Sequence, residues 1–168
     1  MLTLSEKAIV DYLGVMNHVA PGGYGAFLAR HSRFWPATPL PEAFARGTPR
    51  ECFRNAGSLA MAYPELTYVE GMALHTILPT AHAWCVDRDG RVIDPTWDYS
   101  PTSAYLGIPF RRDFLYRQLE ATQVWGLMAE FIPDVLIDAA PVQFIEGLWL
   151  ESVGVVIPRM EGMGLSLD

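Results

Sequence analysis

The sequence predicts an α+β fold in which a cysteine-bearing helix packs on an antiparallel sheet. Three observations lead there. Apolar side chains recur at helical spacing in residues 3–16 and again after Thr48. Runs of β-compatible composition occupy Tyr68 to Ala73, Ala81 to Asp87 and Arg91 to Asp94. The turn pair Asp89-Gly90 between the last two runs makes them a hairpin rather than the arms of a parallel crossover. The 168 residues suit one domain, long enough to bury about 70% of the unfolded surface without staples. It divides into a helical and proline-rich scaffold at 1–47, a central block at 48–98 and a completing helix and sheet at 99–168.

In the first helix Leu4, Ala8, Ile9, Tyr12, Leu13 and Met16 form the apolar stripe, and Thr3 with Glu6 has the spacing of a capping box. Pro21 to Gly25 breaks the pattern as a turn, without the lysine and hydroxyl of a phosphate loop. Ala26 to Phe34 reads as a short helix flanked by His18 and His31, both expected at the surface or an interface. Trp35 to Pro41 holds three prolines and should run extended, as a connector or as a groove wall. Thr48-Pro49-Arg50-Glu51 has the form of a second capping box, so a helix should start near Thr48, carry Ala56, Leu59, Ala60 and Tyr63, and stop before Pro64. Further on, Tyr105 to Phe110 reads as a strand. Phe114 to Phe131 reads as a helix ended by Pro133, Pro141 to Val156 as a strongly apolar helix and strand, and the glycine-rich end from Glu161 as frayed.

The hairpin fixes more than topology. A three-residue loop, Arg88-Asp89-Gly90, sets Val86 opposite Val92 and Trp84 opposite Asp94. Even-numbered residues then share a face, which makes His82 and Asp94 diagonal neighbours and turns Cys85 to the other side, into the core.

A thiol nucleophile, a base and a group to orient the base occur in that order as Cys52, His82 and Asp94. Cys52 falls in the first turn of its helix, where unpaired amides and the helix dipole favour a thiolate. Alone, a cysteine is more often apolar filler. The histidine and aspartate downstream shift the balance towards chemistry. Asp98 shares the parity of Asp94 and is a rival orienter.

The order and spacing of Cys52, Tyr68-Val69-Glu70-Gly71, His82-Ala83-Trp84 and Asp94-Pro95-Thr96 resemble the transglutaminase-like branch of the papain-type cysteine enzymes. That resemblance, over about fifty residues of the 168, implies a papain/transglutaminase-like core and a catalytic block at 48–98. It implies Cys52 as nucleophile, His82 as base and acid, and Asp94 as the group that fixes the imidazole. The implied reaction is acyl transfer at a peptide or protein amide through a thioester, with water or an amine as acceptor, and it needs no cofactor. Toxin-like modification of a host glutamine would use the same residues. The glutamine that papain-type enzymes commonly carry shortly before the cysteine is absent, since no glutamine precedes Gln118. The Cys52 amide is then the natural oxyanion donor, with Asn55, Tyr68 and Trp84 as candidate polar or supporting residues. The competing expectation is an inert binding or structural module that keeps the fold without turnover.

A formal charge of −7 with no basic stripe argues against nucleic acid and anionic membranes. No apolar run approaches the ~20 residues that span a bilayer, and Glu6, Lys7 and Asp11 interrupt any signal-like core, so a cytoplasmic chain is expected. Two cysteines make no disulfide framework. The spacing of His75, His82, Cys52, Cys85 and Asp94 matches no usual zinc pattern, and no metal is expected. The sequence leaves the oligomeric state open.

Overall fold

The computed structural model describes residues 1–128 and 144–152. The elements run α1 (Leu4–Val19), α2 (Tyr24–His31), β1 (Arg33–Trp35), α3 (Cys52–Ala62), β2 (Thr67–Leu74), β3 (Thr80–Val86), β4 (Val92–Ile93), β5 (Ala104–Phe110) and α4 (Arg112–Thr122), followed by a 3-10 turn at Gly147–Ser152. The fold is α+β. The sheet is antiparallel with strand order β1-β5-β2-β3-β4.

Helix α1 starts as its capping box predicts: Thr3 accepts from the Glu6 amide and Glu6 reaches back to the Thr3 amide at 2.7 Å. Ile9, Val10, Leu13 and Gly14 are its buried residues, whereas Leu4 and Tyr12, expected on that stripe, are exposed. Helix α2 is shorter than expected because the chain turns extended at Ser32 and pairs Arg33–Trp35 with β5. His31 is buried rather than at the surface, its ring 4.9 Å from Phe27 and 5.9 Å from Phe144. The segment after β1 lies along β4, where Pro36 accepts from the Val92 amide and the Thr38 hydroxyl donates to the Val92 carbonyl at 2.5 Å.

The hairpin register is the predicted one, Val86 facing Val92 and Cys85 facing Ile93, with Gly90 at φ +78° closing the loop. Strand β4 is only Val92–Ile93, shorter than the expected Arg91 to Asp94. Helix α4 ends at Thr122, because Gln123 turns left-handed at φ 59°. Trp125 therefore lies outside the helix and packs on Gly57, where a methyl group would come within 2.6 Å of the indole. The expectations for 129–143 and 153–168 fall outside the described residues.

The sheet separates two apolar layers. Ile9, Leu13, Leu28, Ala56, Ala60, Tyr68, Met72, Cys85, Leu106, Ile108 and Phe110 pack with the helices on one face. Trp35, Val69, Ala73, Trp84, Val86, Val92 and Tyr105 form the other. Helix α3 lies against β3, tied by the Cys85 thiol, which donates to the Ala56 carbonyl at 3.2 Å. Among the described residues no helix is long and apolar enough to cross a membrane.

Candidate active site

Cys52 is the first residue of α3, with Glu51 at the cap. This corrects the expected start near Thr48. Thr48 to Glu51 instead forms a turn, the Glu51 amide bonding the Thr48 carbonyl at 3.3 Å and Arg50 standing at φ 68°. The reason is tertiary: the Asn55 side chain takes both backbone groups of Thr48, accepting from its amide at 3.1 Å and donating to its carbonyl at 2.7 Å. The shift leaves the Cys52 amide among the unpaired donors of the first helical turn, with no hydrogen bond among the described residues. Cys52 is 9% exposed, against 0% for Cys85.

The His82 ring is buried on the face opposite the helices, and its Nε2 meets Asp94 Oδ2 at 2.8 Å. Cys52 also acts electrostatically on the ring. With Nε2 engaged by the carboxylate, Nδ1 is the ring nitrogen left for a second partner. Burial works against the imidazolium, but the bonds and charges of Asp94 and Cys52 outweigh it and raise the His82 pKa above its ordinary value.

Asp94 is held by four donors. His82 Nε2 and, at 3.0 Å, the Tyr105 hydroxyl share Oδ2, while Oδ1 accepts the amides of Thr96 at 2.8 Å and Trp97 at 3.2 Å. Asp94 thus organises its own turn as it binds the ring. Burial alone would raise its carboxyl, but the His82 bond and charge and the two amides hold it below the ordinary carboxylate value. An ionised Asp94 only accepts, so Nε2 carries the proton of that bond.

Trp97 stacks on His82 with ring centroids 3.7 Å apart and planes at 11°, and His75 lies on Trp97 at 5.2 Å. The indole covers one face of the imidazole and keeps water from the His82–Asp94 bond. Arg46 donates to the Trp97 carbonyl and pairs with Asp98 at 2.9 Å, the Gly47 amide bonds the Pro95 carbonyl at 2.8 Å, and Asn55 Nδ2 reaches Thr96 Oγ1 at 3.0 Å. The segment before the cysteine is thereby stitched to the turn after the aspartate.

These contacts decide the remaining expectations. Asp98 is 91% exposed at its side chain and paired with Arg46, so it does not orient His82. Asn55 is committed to Thr48 and Thr96 and is not an oxyanion donor. The Tyr68 hydroxyl is likewise spent, on Glu70 at 2.8 Å in the helix-side layer. Trp84 underlies the ring at 6.1 Å as packing, and its buried indole N–H has no partner among the described residues.

Three contributors were not singled out from sequence: Tyr105, Trp97 as the cover of His82, and Glu70. Glu70 is buried and accepts from Tyr68 and from the amides of Leu127 at 2.6 Å and Met128 at 2.5 Å. Burial lifts its carboxyl to about 7 against the pull of those bonds. A glutamate alternating with Tyr68 and Met72, on the helix-facing parity of β2, was the signal available in the sequence.

In comparisons with known proteins, no family model matches the chain, and no curated protein or solved structure matches it.

Proposed function

We propose that the chain is a transglutaminase-like cysteine enzyme that transfers an acyl group from a peptide or protein amide through a thioester on Cys52. The observation that carries this reading is the buried 2.8 Å bond between His82 Nε2 and Asp94, which leaves Nδ1 for the thiol of a helix-starting cysteine. The Cys52 sulfur attacks the amide carbonyl carbon as its proton passes to His82. The carbonyl oxygen gains the negative charge, and the Cys52 amide, unpaired at the start of α3, is the donor offered to it. The tetrahedral intermediate collapses with expulsion of the amine, which takes the His82 proton, and the thioester remains. Water or a second amine then attacks that carbonyl, gives its proton to His82, and releases the thiol.

The test is covalent labelling by an activated acyl ester. The wild-type chain should form a thioester, and Cys52→Ala should stay folded and form none. Unchanged labelling of Cys52→Ala would remove the nucleophile assignment.

The small exposure of Cys52, 9%, favours a second reading, an inert module that retains the fold. Thiol alkylation that follows a simple thiol with pH and ignores His82→Ala would decide for it.

A further inference from the structure

We infer that Tyr105 is a positioning residue of the proposed triad: by donating its hydroxyl to the Asp94 oxygen that binds His82, it sets how firmly the imidazolium holds its proton. The inference rests on the Cys52–His82–Asp94 reading and adds a fourth member to it.

The geometry is specific. Asp94 Oδ2 faces His82 Nε2 at 2.8 Å and Tyr105 at 3.0 Å, so two donors compete for one oxygen. Tyr105 stands on β5, between Ala73 of β2 and Trp35 of β1 in register, and its ring meets Trp84 edge-on at 5.1 Å. It is 3% exposed and its hydroxyl makes no other bond among the described residues. For packing alone phenylalanine would serve, and it would bury no hydroxyl. Burial, then the charge and bond of Asp94, push the phenol far above its ordinary value, so Tyr105 is a donor at neutral pH.

The direction of the effect follows from charge. A second donor withdraws electron density from Oδ2 and weakens its attraction for the imidazolium, so His82 releases its proton at lower pH than it would beside Asp94 alone. A base that must take a proton from sulfur and return it to a leaving amine works best when it holds the proton neither too weakly nor too tightly. The other titratable and charged groups about the pair are few. Cys52 of α3 acts on His82, Arg46 before α3 acts on Tyr105, Cys85 beneath β3 feels Asp94, and His75 lies beyond Trp97.

The experiment is an NMR titration of the His82 ring in histidine-labelled full-length protein, wild type against Tyr105→Phe, with thermal unfolding as a control. Tyr105→Phe should move the His82 titration up by about half a unit to one unit, the scale on which one charge-assisted hydrogen bond acts. A purely structural tyrosine would lower the unfolding temperature and leave the titration where it was, and that result overturns the inference. If Tyr105→Phe does not fold, 3-fluorotyrosine placed at position 105, a stronger donor of nearly the same shape, must move the titration down, and no movement overturns it equally. An unmoved titration beside Cys52-dependent thioester formation removes Tyr105 and leaves the proposed function. Labelling of Cys52→Ala at the wild-type level removes the reaction and this role with it.

Discussion

Asp94→Asn tests the relay without changing its shape. The Oδ1 position must stay an acceptor, because it is met by two N–H groups, those of Thr96 at 2.8 Å and Trp97 at 3.2 Å. The new NH2 group therefore falls at the Oδ2 position, against His82 Nε2 and the Tyr105 hydroxyl. A hydroxyl can turn round and accept. Nε2 can accept only by moving the ring proton to Nδ1, the nitrogen that takes the thiol proton in the proposed reaction, and a ring so protonated cannot take it. The same change in a Ser-His-Asp triad costs about 10⁴-fold, or about 5.5 kcal/mol of activation free energy. Because the Thr96 and Trp97 amides keep their acceptor while the turned Tyr105 hydroxyl loses its own, stability should fall by about 1–3 kcal/mol as charge-assisted bonds become neutral ones and one buried O–H goes unpaired. Stopped-flow acylation by an activated ester gives the first number and urea unfolding the second. The unfolding series also has a pH signature. The contribution of Asp94, whose pKa is lowered from 3.8, is present above that value and lost as pH falls through the folded value; that of His82, raised from 6.5, is present below 6.5 and lost as pH climbs through its folded value. Both dependences should flatten in the variant. Acylation within tenfold of wild type, with the fold intact, refutes the tautomer argument.

Asn55→Ala should lower stability by about 1–3 kcal/mol through the unpaired Thr48 and Thr96 groups, and slow acylation by about tenfold or less; a loss above about 10²-fold at unchanged stability would return Asn55 to an oxyanion role. Gly71→Ala should cost on the order of 3 kcal/mol or prevent folding, because a methyl there meets the Leu106 carbonyl oxygen at 2.1 Å and Gly107 Cα at 2.5 Å, both backbone of β5; unchanged urea unfolding would show that β2 and β5 can part. Glu70, raised from 4.5 to about 7, gives stability that is full below 4.5 and is lost as pH rises to about 7, on the order of 3 kcal/mol. Glu70→Gln should abolish that slope in urea unfolding across this window, and an identical slope in the two chains would show that Glu70 is ionised throughout.

What could be seen in the sequence was local. The hairpin register follows from an odd loop with a glycine at its end, and that parity brings His82 beside Asp94 and sends Cys85 into the helix layer. The capping box at Thr3 is also self-contained, and it forms. Thr48-Pro49-Arg50-Glu51 carries equivalent residue types and does not form one, because Asn55 and Pro95 draw Gly47 and Thr48 out of helical geometry. Distant partners decided that case, and no window of the sequence contains them. Tyr105 was out of reach for a related reason: its face depends on how β5 registers against β2, set by Gly71 lying against Gly107, two glycines whose pairing no turn announces. Helix α4 was overextended because Gln123 ends it in a conformation that a glutamine does not advertise. Gly71 is where β5 approaches β2 too closely for any side chain.

One feature of the sheet explains how the site can exist at all. Helix α3 packs on one face, while the His82 ring lies with Trp84 and Val69 on the other, so sulfur and imidazole would be separated by the backbone of a continuous sheet. They can meet only around an edge. Strand β4 pairs with Cys85 and Val86 and goes no further, which leaves the His82 end of β3 without a strand neighbour on that side. The next ladder positions would be Asp94 and Pro95. Proline has no amide to give the ladder, and its carbonyl is already taken by the Gly47 amide at 2.8 Å. Pro95 thus ends β4, leaves the His82 end of β3 without a ladder partner on that side, and anchors the segment before Cys52. In this reading the Asp-Pro-Thr sequence does three separate jobs: the aspartate orients the ring, the proline keeps the edge open, and the threonine receives the Asn55 clamp.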